Sequence, residues 1–258
     1  MKSLMASSLS HHFGGLVALD GAAIDVPEKT VVGLVGPNGA GKSTMLSVLS
    51  GFIAPDAGRI ALGGDDVSSA RPEVRAQLGL VRTFQVPREF AGLSVRSNVA
   101  VAAKGQIGEG LLGALLRGAS VRRQESAAAE KIDEVLELTG LTAVRDRCAG
   151  DLSGGQKKLL ELARALMTEP SVLLLDEPFA GVHPKLVDEL IVKLRALRDR
   201  GISLLVVEHN MRAVAELCDR VTVMVNGRTL MTGTAREIQQ DPRVLAAYLG
   251  GTDGGRHS

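Results

Sequence analysis

The run Gly36-Pro37-Asn38-Gly39-Ala40-Gly41-Lys42-Ser43-Thr44 is rich in residues that wrap an anion. Glycines carry no Cβ, so backbone N–H groups can converge on a polyphosphate. A helix opening after the loop adds partial positive charge at its N-terminus. Lys42 supplies a point charge for β and γ phosphates. Ser43 supplies a hydroxyl for Mg²⁺, which takes oxygen ligands. The pattern G-x-x-x-x-G-K-[S/T] is complete.

Two further groups of residues could act on the same anion. The apolar run Val172-Leu173-Leu174-Leu175 ends in Asp176-Glu177-Pro178. Side chains alternate along a strand, so the two carboxylates are expected to point differently. Asp176 suits a metal held through water, and Glu177 suits a water attacking in line. Asp151-Leu152-Ser153-Gly154-Gly155-Gln156 opens a helix. Ser153 can cap it, and the two glycines bare its first amides as a second anion site.

The elements that must position these residues are legible in the pattern. Leu16 to Val26 reads as strand. Thr30 to Val35 is a short β-branched run that fits a strand buried on both faces. Helix follows over Lys42 to Leu49 and stops at Gly51. Arg59 to Leu62 reads as a strand before the turn Gly63-Gly64. Apolar residues then recur at helical spacing: Ile132, Val135, Leu136, Leu138 and Leu141. A helical subdomain is therefore expected over about 86–150. Within it, Leu111 to Leu116 is apolar and flanked by Arg117, Arg122 and Arg123, which reads as a packed helix with a solvated basic end, the alternative being a helix lying on a membrane surface. The helix after Ser153 is followed by strand Val172 to Leu175, helix Lys185 to Asp199, strand Ser203 to Val207 and helix Met211 to Cys218. Such alternation implies a parallel sheet. Asn226-Gly227 marks a hairpin between Val221 to Val225 and Arg228 to Met231. Thr234 and Glu237 form a capping box for the helix after it.

Composition sets limits on what these elements serve. Hydrophobic residues make up 45% and charged residues 23% of the 258 residues, as in an ordinary globular chain. Aromatic residues are only 2%, so the core must be aliphatic. A net charge of +1 gives no electrostatic case for nucleic acid. Cys148 and Cys218 show no metal-ligand spacing, and two lone thiols fit a reducing compartment. Neither a signal peptide nor a run near the roughly 20 residues needed to span a bilayer is visible. Work at a membrane would need a partner.

Taken in order, these motifs closely resemble the ATP-binding cassette (ABC) family. Gln85 follows Val81-Arg82-Thr83-Phe84, and His209 follows the strand ending at Val207. The resemblance spans residues 4–251. It implies a P-loop NTPase core, α/β with a mostly parallel sheet, an antiparallel β subdomain and the inserted helical subdomain. A single domain over 4–251 is expected, with 252–258 a flexible tail. The resemblance implies ATP and Mg²⁺, with Gly36, Pro37, Asn38, Gly39, Ala40, Gly41, Lys42, Ser43 and Thr44 on the phosphates. Ser43, Gln85 and Asp176 fall at the metal, Glu177 at the attacking water and His209 at the γ-phosphate. Phe13 takes the place of the aromatic that stacks on adenine. Ser153, Gly154, Gly155 and Gln156 would close on ATP held by a second ATPase subunit. One departure is His183, where the family often has Asp or Asn.

Finer features resemble the importers of branched-chain and other hydrophobic amino acids. These are Phe13-Gly14-Gly15-Leu16, Arg82-Thr83-Phe84-Gln85, Glu208-His209-Asn210-Met211 and Ala247-Tyr248-Leu249-Gly250-Gly251. The helical insert between Val99 and Arg123 is similar too. That branch implies a homo- or heterodimer docked on two membrane permeases at the cytoplasmic face. An extracytoplasmic binding protein would feed the permeases, and the groove beside Gln85 would receive a permease helix. Urea and amide importers share most of these features. A soluble ABC ATPase acting on ribosomes or DNA usually carries two cassettes or a long coiled coil, and neither is present.

Overall fold

The structure, a computed structural model, describes residues 1–83, 89–103 and 119–249. Gln85, the apolar stretch Leu111 to Leu116 and the tail 252–258 lie outside the described residues, as does most of the insert between Val99 and Arg123. The chain forms two compact units. One comprises 1–85, 170–180 and 184–258, and the other comprises 86–169 with 181–183.

The first unit opens with β1 (Leu4–Phe13), β2 (Leu16–Val26) and β3 (Val31–Val35). Then come α1 (Lys42–Leu49), β4 (Ala57–Leu62), β5 (Asp65–Asp66), α2 (Pro72–Gln77) and β6 (Leu80–Arg82). The second unit holds α3 (Val95–Val101), α4 (Ala119–Thr139) and α5 (Gly154–Leu166). The chain returns to the first unit with β7 (Val172–Asp176), α6 (Pro184–Asp199), β8 (Ser203–Val207) and α7 (Met211–Leu217). It ends with β9 (Arg220–Val225), β10 (Arg228–Gly233), α8 (Ala235–Gln240) and α9 (Pro242–Leu249).

Two sheets build the first unit. One has the order β2-β1-β4-β5 and is antiparallel. The other has the order β10-β9-β3-β8-β7-β6. Its pairings are parallel except for the β9–β10 hairpin. Every residue of β3, β7 and β8 is buried, which explains their unbroken Val and Leu runs. One core cluster takes Leu9, Leu19 and Ile24 from the first sheet and Leu34, Leu174 and Leu205 from the second. Met45, Leu46 and Leu49 of α1 join both. Each such side chain contributes about 1.5–3 kcal/mol by burial. Arg75 of α2, only 1% exposed, fixes the far end of α1. Its guanidinium donates to the carbonyl oxygens of Val48 (2.7 Å) and Leu49 (2.6 Å), and also to Ser68 and Ala70. The phosphate-loop helix is therefore held at its C-terminus by a buried cation.

The helical unit is longer than its sequence pattern indicates. It runs to Glu169 rather than to about Gly150, because α5 packs on α3 and α4. Asn98, fully buried, pins the loop before α3. It accepts from the Phe90 amide (2.8 Å) and donates to the carbonyls of Phe90 and Ser94. Arg164 of α5 lies 5.1 Å over the Phe90 ring, and Lys157 pairs with Glu89 at 2.7 Å. Three strands and two helices escaped the sequence pattern: β1, β5, β6, α2 and α9.

Candidate active site

The phosphate loop joins the C-terminal end of β3 to α1, outside the carboxyl edge of a parallel sheet where α/β folds bind ligands. Two of its glycines are dictated by space. A Cβ on Gly36 would lie 2.1 Å from the Met224 carbonyl oxygen, and one on Gly41 would lie 2.6 Å from that of Ala18. Gly41 also has φ of 97° as the N-cap of α1, and no side chain caps that helix. The first amides of α1 are thus presented to an anion. Lys42 is 6% exposed and folds across its own loop. Its Nζ donates to the carbonyl oxygens of Gly36 (2.7 Å) and Pro37 (2.9 Å). Burial pulls its pKa below the ordinary lysine value, while the Glu177 carboxylate pushes the other way. Ser43 is exposed beside it.

The loop is buttressed from behind. The Gly227 amide of the β9–β10 turn donates to the Ala40 carbonyl (3.0 Å), and the Asp20 amide donates to the Gly227 carbonyl (2.9 Å). Tyr248 of α9 also reaches the loop. Burial raises its phenol pKa, and a hydrogen bond with the Gly36 backbone opposes that rise.

Asp176 and Glu177 diverge as expected, but not through strand alternation. β7 stops at Asp176, and Glu177 takes a left-handed backbone with φ of 47°. That conformation costs a non-glycine residue on the order of 1–3 kcal/mol and is typical of functional turns. The Glu177 amide donates to Val207 at the end of β8 (3.0 Å). Its Oε1 lies 3.1 Å from Nε2 of His209. The carboxylate and the histidine, expected from separate motifs, are therefore brought together. Asp176 is 8% exposed and pairs through Oδ2 with Arg82 at 2.9 Å. Arg82 also donates to Ser47 Oγ on α1 (3.0 Å). Sequence reasoning gave Arg82 no role. Its signal is a charge inside the short strand β6.

Phe13 ends β1 and is 49% exposed. The His11 ring meets it edge-on, with centroids 4.6 Å apart at 83°. Asp56 holds the adjacent His12 by two bonds of 2.8 Å, to its backbone amide and to Nδ1. Those bonds, first the one from the His12 ring, keep the Asp56 carboxyl below the usual range. In the helical unit, Ser153 and Gln156 form a reciprocal capping box at α5. Gln156 donates its amide to Ser153 Oγ (3.3 Å), and Ser153 donates its amide to Gln156 Oε1 (3.0 Å). Gly154 and Gly155 stand at its open first turn. Gln85 is outside the described residues. Among those described, no cluster of three or more His, Cys, Asp or Glu side chains could hold a metal. No described helix is long and apolar enough to cross a membrane.

A phosphate loop on a parallel sheet, a strand-end carboxylate and a histidine against it define a phosphate-loop nucleotide hydrolase. Comparison with known proteins narrows the class. The ABC transporter family matches residues 19–180, and the branched-chain amino acid ATP-binding cassette transporter family matches residues 228–254. The chain is 40% identical over 250 residues to the high-affinity branched-chain amino acid transport ATP-binding protein BraF of Pseudomonas aeruginosa. That match covers 96% of this chain and 97% of the relative. It is 38% identical to LivG of Escherichia coli K12, a protein of the same description, with the same coverage of both chains. The crystal structure of an ABC transporter cassette in its ADP conformation superposes with a TM-score of 0.83 at 36% identity, covering 97% of this chain and 99% of the other. The chain therefore belongs to the ATP-binding proteins of ABC transporters, in the branched-chain amino acid family, and is an ATPase.

Proposed function

We propose that this chain hydrolyses ATP to drive uptake of branched-chain amino acids through partner permeases. The observation that carries the reading is the Glu177–His209 pair at 3.1 Å, in the same unit as the phosphate loop. The match of residues 228–254 to the branched-chain amino acid cassette family supports the substrate class.

In this reading the amides of Gly39 to Thr44 and the Lys42 ammonium hold the β and γ phosphates. Phe13 stacks on the adenine. Glu177 orients the attacking water and draws on its proton, while His209 holds Glu177 and meets the γ-phosphate. Ser43 and Asp176 are hard oxygen donors, and Gln85 joins them in the family pattern. The set suits Mg²⁺, which binds through few protein ligands and mostly through phosphates and water. Bound there, Mg²⁺ would neutralise charge between the phosphates. The Ser153 to Gln156 turn would close on ATP held by a second ATPase subunit, equal or paralogous. The pair would sit at the cytoplasmic face on two permeases fed by an extracytoplasmic binding protein.

The test is uptake of labelled leucine and labelled urea in a deletion strain carrying wild type, Glu177→Gln or His209→Ala. Wild type is expected to restore leucine uptake alone. Both variants are expected to bind ATP, to lose turnover by about 100-fold or more, and to restore nothing. Restored urea uptake without leucine uptake would overturn the substrate class. Normal turnover in both variants would overturn the residue roles.

A further inference from the structure

Glu208 stands between the end of β8 and His209, and no step assigned above uses it. It is 3% exposed. A buried carboxylate is unfavourable unless its oxygens are hydrogen-bonded, and here both are. Oε1 accepts from the Phe179 amide at 2.8 Å. Oε2 accepts from the amides of His209 (3.1 Å) and Asn210 (3.3 Å). The donors come from two segments far apart in the chain. Phe179 lies two residues after Glu177, in the turn that leaves β7. His209 and Asn210 lead from β8 into α7, and Asn210 caps that helix by accepting from Ala213 (3.2 Å). The Glu208 amide itself faces the Leu34 carbonyl (3.4 Å), two residues before Gly36. One carboxylate thus ties the backbone carrying Glu177 to the backbone carrying His209, beside the strand that enters the phosphate loop.

We propose that Glu208 is a positioning residue for ATP hydrolysis, stapling the Glu177 and His209 turns so that their side chains stay in register. The proposal rests on the roles given above to Glu177 and His209. A covalent linker between β8 and α7 needs no buried charge, and an apolar residue would continue the Val206-Val207 run. What the carboxylate adds is two acceptor ends, one for each turn. An amide of the same shape has a single acceptor, and its NH₂ end would face an N–H donor. Glu208→Gln therefore frees one turn from the other while leaving the phosphate loop and Phe13 in place.

The experiment measures ATPase turnover and ATP binding for wild type, Glu208→Gln, His209→Ala and the double variant, in the assembled transporter. Misplacing reacting groups by about 1 Å costs on the order of 100-fold in rate. Glu208→Gln is expected to lower kcat by at least about fivefold while the ATP dissociation constant stays within about threefold. Adding Glu208→Gln to His209→Ala is expected to slow the enzyme by less than about twofold further, since the register no longer matters once the histidine is gone. A smaller fall in kcat, a matching loss of ATP binding, or effects that multiply in the double variant would each overturn the proposal. If His209→Ala itself turns over normally, the reading of the site fails instead. Should Glu208→Gln not fold, amide exchange in the wild type decides. Phe179, His209 and Asn210 exchanging through one shared opening supports the staple, and independent exchange overturns it.

Discussion

Lys42 is already bonded to two carbonyls of its own loop, so its charge is held in place before a phosphate arrives. Removing it leaves polyphosphate charge without its nearest cation. Lys42→Ala is expected to weaken ATP binding by at least about 30-fold, measured by titration calorimetry, with the fold retained. Sequence identified this residue by spacing alone, since the loop pattern names its roles directly. It identified Glu177 correctly as distinct in direction from Asp176, but for the wrong physical reason. Alternation needs the strand to continue, whereas a left-handed turn ends it. Arg82 and Glu208 were illegible as parts of the site. Their contacts are with Asp176, 94 residues away, and with Phe179, 29 residues away, and no local pattern encodes such pairs.

At the scale of elements, the buried runs of β3, β7 and β8 and the caps of α5 and α8 were legible because their signals are local. Strand β1 was not. Its pairing with β2 and β4 is interrupted by register shifts, which blur any alternation. Arg75 is the element-scale anchor. Truncation would leave the buried carbonyls of Val48 and Leu49 and the half-buried ones of Ser68 and Ala70 without their donor, so Arg75→Met is expected to destabilise the unit by about 3 kcal/mol. Thermal unfolding should then fall by roughly 6–12 °C. The end of the β1–β2 hairpin has a weaker fastening in Asp56. Its folded pKa is depressed from the ordinary 3.8, so its contribution is fully present above that value. The contribution is lost as pH falls through the lower folded pKa. Unfolding followed against pH should show this loss below about pH 4. The loss should be smaller in Asp56→Asn, in which Asp66 and Asp241, also held below the ordinary carboxylate range, still titrate.

Across the whole molecule, one core cluster spans both sheets and α1, so the phosphate loop is supported by most of the first unit. The extent of the helical unit was not legible in the pattern. Periodicity marks α5 as a helix, but only packing against α3 and α4 decides which unit it joins. The C-terminal segment was legible as a mark of the branch and not as a neighbour of the site. Structure brings its α9 to the loop through Tyr248 and Gly36.

That contact has an optical side. The chain contains no tryptophan and a single tyrosine, so Tyr248 is the only side chain that absorbs and emits strongly in the near ultraviolet. The protein therefore carries a built-in reporter at the first glycine of its nucleotide loop. Titration with a non-hydrolysed ATP analogue chosen for low near-ultraviolet absorbance should change the emission saturably. Lys42→Ala should flatten that curve at the same concentrations, and Tyr248→Phe should leave the protein dark.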